Sequence, residues 1–325
     1  MSDLKITMLG STGVGKTSLM AAMYDQFRRV TGNTELVLTT EDDSAKLLYA
    51  RLNDLKTLPA GRFKAAGGVI GDREPSQFMF NLTRRGSQKS SIQFCFQDYP
   101  GGYHRDREAY IKEQLTQCVA VLIAIDATAL MEEGGRWHDY INRPQQILEL
   151  FENTYNDLDS PRLIILAPIK CETYMKDRDS ANKLRRTLRE RYASLLNHFR
   201  ANALLPKVAI VITPVQTVGS VFFSEIKVLE RDIEGKSEQE PQFFFSKLNV
   251  SDGYEPKGSE EPLRYLLSFL LKLHLDQKRW FFFDWIRSLF DKDVEFKDAI
   301  RKFALASDRD GSSEIVQGEL LLKID

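Results

Sequence analysis

Apolar and polar positions divide the chain into short strands and one-faced helices. Residues 4–9, Leu-Lys-Ile-Thr-Met-Leu, have the length and composition of a strand, and residues 17–28 follow with apolar side chains at Leu19, Met20, Met23 and Phe27, the spacing of a helix face. The stretch 32–75 holds a strand-like Leu36-Val37-Leu38, a helix-like run over 43–55 and a glycine-rich, basic segment over 58–71 that reads as a mobile loop. Residues 78–82 and 91–97 alternate apolar and polar positions around a turn at 84–88, which predicts an antiparallel hairpin. Beyond it the strands are apolar throughout, at 119–125, 163–167 and 208–212. Helix-like sequence separates them, over 107–117, 145–155 and 181–201.

Strands apolar on both faces and alternating with helices predict an α/β fold, a mostly parallel sheet with helices on both faces and one antiparallel hairpin strand. A ligand then belongs at the carboxyl ends of the strands, where the loops 10–17, 98–104, 168–173 and 213–219 meet. After the last strand the pattern changes. Residues 221–229 and 242–248 read as two further strands around a polar stretch at 230–240, and 260–275 as an apolar helix. A run from Lys278 to Arg287 carries Trp280, Phe281, Phe282, Phe283 and Trp285, and a charged amphipathic helix to about Phe303 and a polar tail complete the chain. We divide it into a main domain over 1–275, with insertions at 33–76 and 220–250, and a C-terminal β-hairpin/helical appendage whose aromatic and polar part covers 276–325.

The turn between the first strand and helix carries the chemistry. Gly10, Gly15, Lys16 and Thr17 fit the pattern Gly, any four residues, Gly-Lys-Ser/Thr, a phosphate-binding loop of the P-loop NTPase type. Backbone N–H groups around Gly13 to Lys16 would then face a polyphosphate at the helix N-terminus. The expected nucleotide-binding set is Gly10, Ser11, Thr12, Gly13, Val14, Gly15, Lys16, Thr17 and Ser18. Lys16 is expected at the β- and γ-phosphates and Thr17 on Mg²⁺.

Composition narrows the alternatives. The chain has 325 residues with 42% hydrophobic content, enough for a sizeable core, and 45 Lys+Arg against 46 Asp+Glu give a net charge of -1. That balance supplies no overall pull toward nucleic acid or an anionic membrane. Cys95, Cys118 and Cys171 form no CxxC pair, and the four histidines show no zinc spacing. The chain starts directly into its first strand without a signal peptide, and its longest apolar run, 266–273, is too short to span a bilayer, so we expect a cytoplasmic protein.

With these pieces in this order, the chain resembles the translation-factor and Ras-like class of P-loop GTPases over about residues 1–275. Within that class it is most similar to divergent bacterial members with an enlarged switch region. The resemblance implies that Asp98-Tyr99-Pro100-Gly101 is the second phosphate-side motif, with Asp98 holding Mg²⁺ and the Gly101 N–H at the γ-phosphate. It implies that Lys170 packs on the base, that Glu172 reads guanine in place of the family's aspartate, and that Thr213 stands where only backbone contact to the base is left. Ras-like proteins position the attacking water with a glutamine after Asp-x-x-Gly; here that residue is Gly102, and His104 is the nearby substitute. Arg62 is a candidate arginine finger, and Ser76 the candidate switch hydroxyl, with Thr39, Thr40 and Thr57 further away.

The expected function is a Mg²⁺-dependent GTP-binding switch with slow intrinsic hydrolysis. It would report GTP or GDP occupancy to a protein partner, with the Trp280 to Trp285 region as a candidate contact. A non-catalytic nucleotide-binding scaffold and an ATPase on the same fold are the rival readings.

Overall fold

The computed structural model describes residues 3–31, 34–65, 76–87, 91–98, 105–201, 203–233, 236–249, 251–275, 290–291, 293–306 and 312–324. Its strands in chain order are β1 (Leu4–Leu9), β2 (Leu36–Thr40), β3 (Gly61–Lys64), β4 (Ser76–Arg84), β5 (Ser91–Asp98), β6 (Ala120–Asp126), β7 (Arg162–Ile169), β8 (Val208–Ile212), β9 (Val221–Ile233), β10 (Lys236–Lys247) and β11 (Glu314–Gln317). The helices are α1 (Lys16–Val30), α2 (Asp42–Lys56), α3 (Arg105–Gln117), α4 (Ala127–Met131), α5 (His138–Asn142), α6 (Pro144–Glu152), α7 (Arg178–Arg191), α8 (Ala193–Phe199), α9 (Glu261–Leu275) and α10 (Val294–Leu305).

The main sheet has the order β11-β8-β7-β6-β1-β5-β4-β2. Its inner strands β5, β1, β6, β7 and β8 are parallel, and the antiparallel pairs lie at the edges, β4 and β2 on one side and β11 on the other. Alternation along β6 shows why the sheet is covered twice. Ala120, Leu122 and Ala124 face a core shared with α1, α2, α9 and α10, whereas Val121, Ile123 and Ile125 face one shared with α3, α6, α7 and α8. Every second residue of a strand reaches the same face, so a strand buried on both faces must be apolar throughout. This is the mostly parallel α/β arrangement with helices on both faces that the sequence predicts, with the carboxyl ends of β1, β5, β6 and β7 gathered at one rim.

Four boundaries depart from the sequence reading, each for a physical reason. The expected single helix over 181–201 is two, because Tyr192 leaves helical geometry and is buried with its ring 5.4 Å from His138. The chain then turns so that Leu195, Leu196 and Phe199 still reach the same core. The glycine-rich segment begins as β3, which pairs with β10 from Gly61↔Lys247 to Lys64↔Phe244 in a separate three-stranded antiparallel sheet, β3-β10-β9; residues 66–75 lie outside the described residues. Polar residues 230–240 do not interrupt that sheet. β9 and β10 pair from Val221↔Lys247 to Ile233↔Lys236, because a hairpin ladder satisfies its own backbone groups whatever the polarity of the sequence.

The fourth departure concerns the segment set apart as an appendage, whose described part is built into the main fold. Phe296, Ile300 and Phe303 of α10 are fully buried; the Phe303 ring lies 4.8 Å from that of Phe27 of α1, and the Arg264 guanidinium sits 4.4 Å over it. β11, in the stretch read as a polar tail, pairs with β8. Trp280 to Trp285 lie outside the described residues. Among the described residues no helix is long and apolar enough to cross a membrane.

Candidate functional site

The loop between β1 and α1 is shaped by glycine where no side chain fits. Gly10, Gly13 and Gly15 have φ of 138°, 81° and 117°. A Cβ on Gly10 would lie 2.8 Å from the Ala124 carbonyl oxygen of β6, and one on Gly15 would lie 2.8 Å from Ile169 Cδ1 of β7. The loop is therefore pressed against the ends of two neighbouring strands. Gly15 is the left-handed N-cap of α1 and carries no side-chain cap, so the first amides of the helix are left for a ligand. Ser11 and Val14 are buried, Thr12 and Gly13 are exposed on the open side, and Thr17 and Ser18 are half-buried in the first turn of α1.

Lys16 opens α1 and is only 6% exposed. Its Nζ donates to the Gly10 carbonyl at 2.7 Å and lies 3.4 Å from Asp98 Oδ1 at the end of β5. A buried ammonium requires such partners. Asp98 is reciprocal: burial raises its carboxyl above the usual carboxylate range and Lys16 works in the opposite direction. Oδ1 is buried with no hydrogen-bond partner of suitable geometry. A hard cation that takes oxygen ligands suits that orphaned carboxylate oxygen, and Asp98 with the Thr17 hydroxyl would be the residues to hold a magnesium ion. Ser76 opens β4 directly opposite Asp98 in the register. Gly101, Gly102 and His104 lie outside the described residues.

The loops after β7 and β8 are knitted together. Thr213 is fully buried and its N–H donates to the Leu166 carbonyl at 2.9 Å, while the Val215 N–H donates to the Pro168 carbonyl at 2.8 Å. Glu172 is buried, and its Oε1 accepts from the Val218 and Gly219 N–H groups at 2.8 and 3.1 Å. Burial raises its pKa and those amides lower it. Lys170 follows β7 with φ of 59°, and its Cε would lie 3.9 Å from a Cβ on Gly15, so its stem crosses the phosphate loop. Its Nζ forms a short ion pair with Asp126 Oδ2 and stands 6.0 Å over the Phe245 ring of β10.

Other expected residues are engaged elsewhere. Arg62 pairs with Glu225 of β9 at 2.8 Å and lies over the Phe244 ring, within the second sheet. The hydroxyls of Thr39, Thr40 and Thr57 donate to the carbonyls of Asn81, Met79 and Asn53, which ties them into strand and helix structure. Asp126, which the sequence reading passed over, ends β6 and caps α4 by accepting from the Thr128 and Ala129 N–H groups. Its signature was legible as an aspartate that closes an apolar strand and opens a helix.

A family model described as Double-GTPase 2 matches residues 5–203. No curated protein matches the chain. Among solved structures, the signal recognition particle receptor SRb-GTP/SRX complex from Chaetomium thermophilum is similar at 14% identity and a TM-score of 0.37, over 67% of this chain and 93% of that one. The family match runs from β1 through α8 and takes in the phosphate loop, Asp98, Asp126 and the loop at 170–172. It covers more than half of the 325 residues, and the chain belongs to the Double-GTPase 2 family.

Proposed function

We propose that this P-loop GTPase is a Mg²⁺-dependent switch, of the Ras-like and translation-factor type with an enlarged switch region, that hydrolyses GTP slowly on its own and signals its nucleotide state to a protein partner. The observation that carries this reading is the meeting of Lys16, the uncapped start of α1 and Asp98, whose side chain is 12% exposed, at one rim of the sheet. The amides of Gly13 to Lys16 receive the phosphates. Lys16 exchanges the Gly10 carbonyl for phosphate oxygens, relieving its buried pairing with Asp98. Thr17 and Asp98 hold magnesium, which when bound supplies charge neutralisation on the β- and γ-phosphates. Ser76, on the strand opposite Asp98, is assigned to the γ-phosphate side together with Gly101. On the base side Glu172 keeps Oε1 on the loop amides and offers its other oxygen to the guanine N1–H and amino group, donors that adenine does not present in that arrangement.

The test is equilibrium binding of GTP and ATP to the full chain with and without Mg²⁺, followed by phosphate release. Expected are Mg²⁺-dependent preference for GTP, a loss of at least 100-fold in affinity for Lys16→Ala, and loss of the preference in Glu172→Ala. Indifference of the wild-type chain to every nucleotide overturns the reading. Gly102, in place of a water-positioning glutamine, favours a second reading, a GTP-binding scaffold without turnover. Tight GTP binding with no phosphate release, with or without cell extract, would select it.

A further inference from the structure

Lys170 does not end in open solvent above the base loop: its ammonium is held by Asp126, a residue from a different strand that does not face the phosphates through any assigned role. Asp126 is 2% exposed and engaged at every polar group. Oδ1 accepts from the two first-turn amides of α4 at 2.9 and 3.1 Å. Its backbone N–H donates to Asn142 Oδ1 at 2.8 Å, and its carbonyl accepts from Asn142 Nδ2 at 3.1 Å. That leaves Oδ2, which holds Lys170 Nζ. A carboxylate held by two amides, on a backbone fixed by two further hydrogen bonds, is a rigid anchor. The lysine it holds is otherwise a long side chain leaving a residue in left-handed backbone geometry, with its stem across Gly15 and its head beside Phe245.

We propose that Asp126 is a positioning residue for base recognition: by clamping Lys170 across the phosphate loop it sets the surface on which the purine plane lies, and so governs affinity for the base and not for the phosphates. This rests on the GTP-binding reading above. Two consequences follow from the geometry. Asp126→Asn keeps an oxygen for the α4 amides and the Asn142 contacts but removes the charge that holds Lys170. Lys170→Met keeps a stem over Gly15 but has no ammonium to hold, so the aspartate then has nothing to act through.

The experiment measures GTP and inorganic tripolyphosphate binding to the wild-type chain, Asp126→Asn, Lys170→Met and the double variant, together with amide hydrogen exchange of the nucleotide-free proteins. Expected for Asp126→Asn are a loss of about tenfold for GTP, unchanged tripolyphosphate affinity, and faster exchange over residues 169–172 with the Thr128 and Ala129 amides still protected. The double variant is expected to match Lys170→Met. Equal losses for both ligands, additive losses in the double variant, or unchanged exchange over 169–172 would each overturn the clamp. Wild-type protein that binds neither ligand would overturn the function reading, and the exchange data would still report whether the Asp126–Lys170 link orders the loop.

Discussion

At the residue scale, one backbone position and one imidazole are most open to test. Gly10 combines φ of 138° with a carbonyl 2.8 Å from where a Cβ would stand, and the obstructing atom belongs to the backbone of β6, which cannot move without its strand. Gly10→Ala is therefore expected to destabilise the chain by about 2 kcal/mol or more in urea denaturation, and to weaken nucleotide binding through the displaced loop. His138 is fully buried; its Nδ1 meets Asn142 Nδ2 at 3.0 Å, and burial lowers its pKa to about 4, opposed by Asp139 and aided by Arg191. The unfolded chain binds this proton from about pH 6.5 downward and the folded chain does not, so stability is full above that pH and is lost as pH falls toward 4. Between pH 7 and pH 5 the loss from this group is about 2 kcal/mol. Denaturation curves of His138→Gln at the two pH values should show a correspondingly smaller difference than wild type.

At the element scale, α10 and β11 decide whether the C-terminal stretch is an attachment or part of the fold. Phe303 is fully buried between Phe27 and Arg264, and the Arg264 guanidinium also donates to the Phe303 carbonyl. Phe303→Ala is expected to cost about 3–5 kcal/mol, the range for removing a buried aromatic ring, read as a lower urea midpoint at an unchanged slope. Ending the chain at Leu275 should do more, since it strips α10 from α1 and α9 and β11 from β8; the expected result is loss of the cooperative thermal transition, and a truncated chain with wild-type stability would contradict this packing. Periodicity made the apolar strands and α1 legible because burial on two faces leaves an unambiguous apolar run. It could not reveal β11, whose Glu314, Ile315 and Val316 are half-exposed at a sheet edge and which is held by pairing with a strand about a hundred residues earlier.

At the scale of the whole molecule, nucleotide binding should stabilise the fold as a unit, because the phosphate loop follows β1 and abuts β6 and β7, and the loop after β7 reaches the second sheet. Saturating GTP with Mg²⁺ at a hundred times its dissociation constant contributes about 2.7 kcal/mol, a rise of roughly 5 °C in the melting temperature, which Lys16→Ala should abolish. The sequence by itself determined the α/β class, the order of loop, hairpin and apolar strands, and the residues of the phosphate loop, since each depends on local spacing and on glycines that only one backbone conformation uses. Tertiary structure alone decided the partners. Arg62 enters a ladder with β10 and pairs with Glu225, Glu172 turns to the amides of 218–219, and Lys170 reaches Asp126 across 44 positions of chain. The physical reason is that a long charged side chain takes its role from whichever opposite charge or free amide folding brings within reach, and neither composition nor periodicity records that distance.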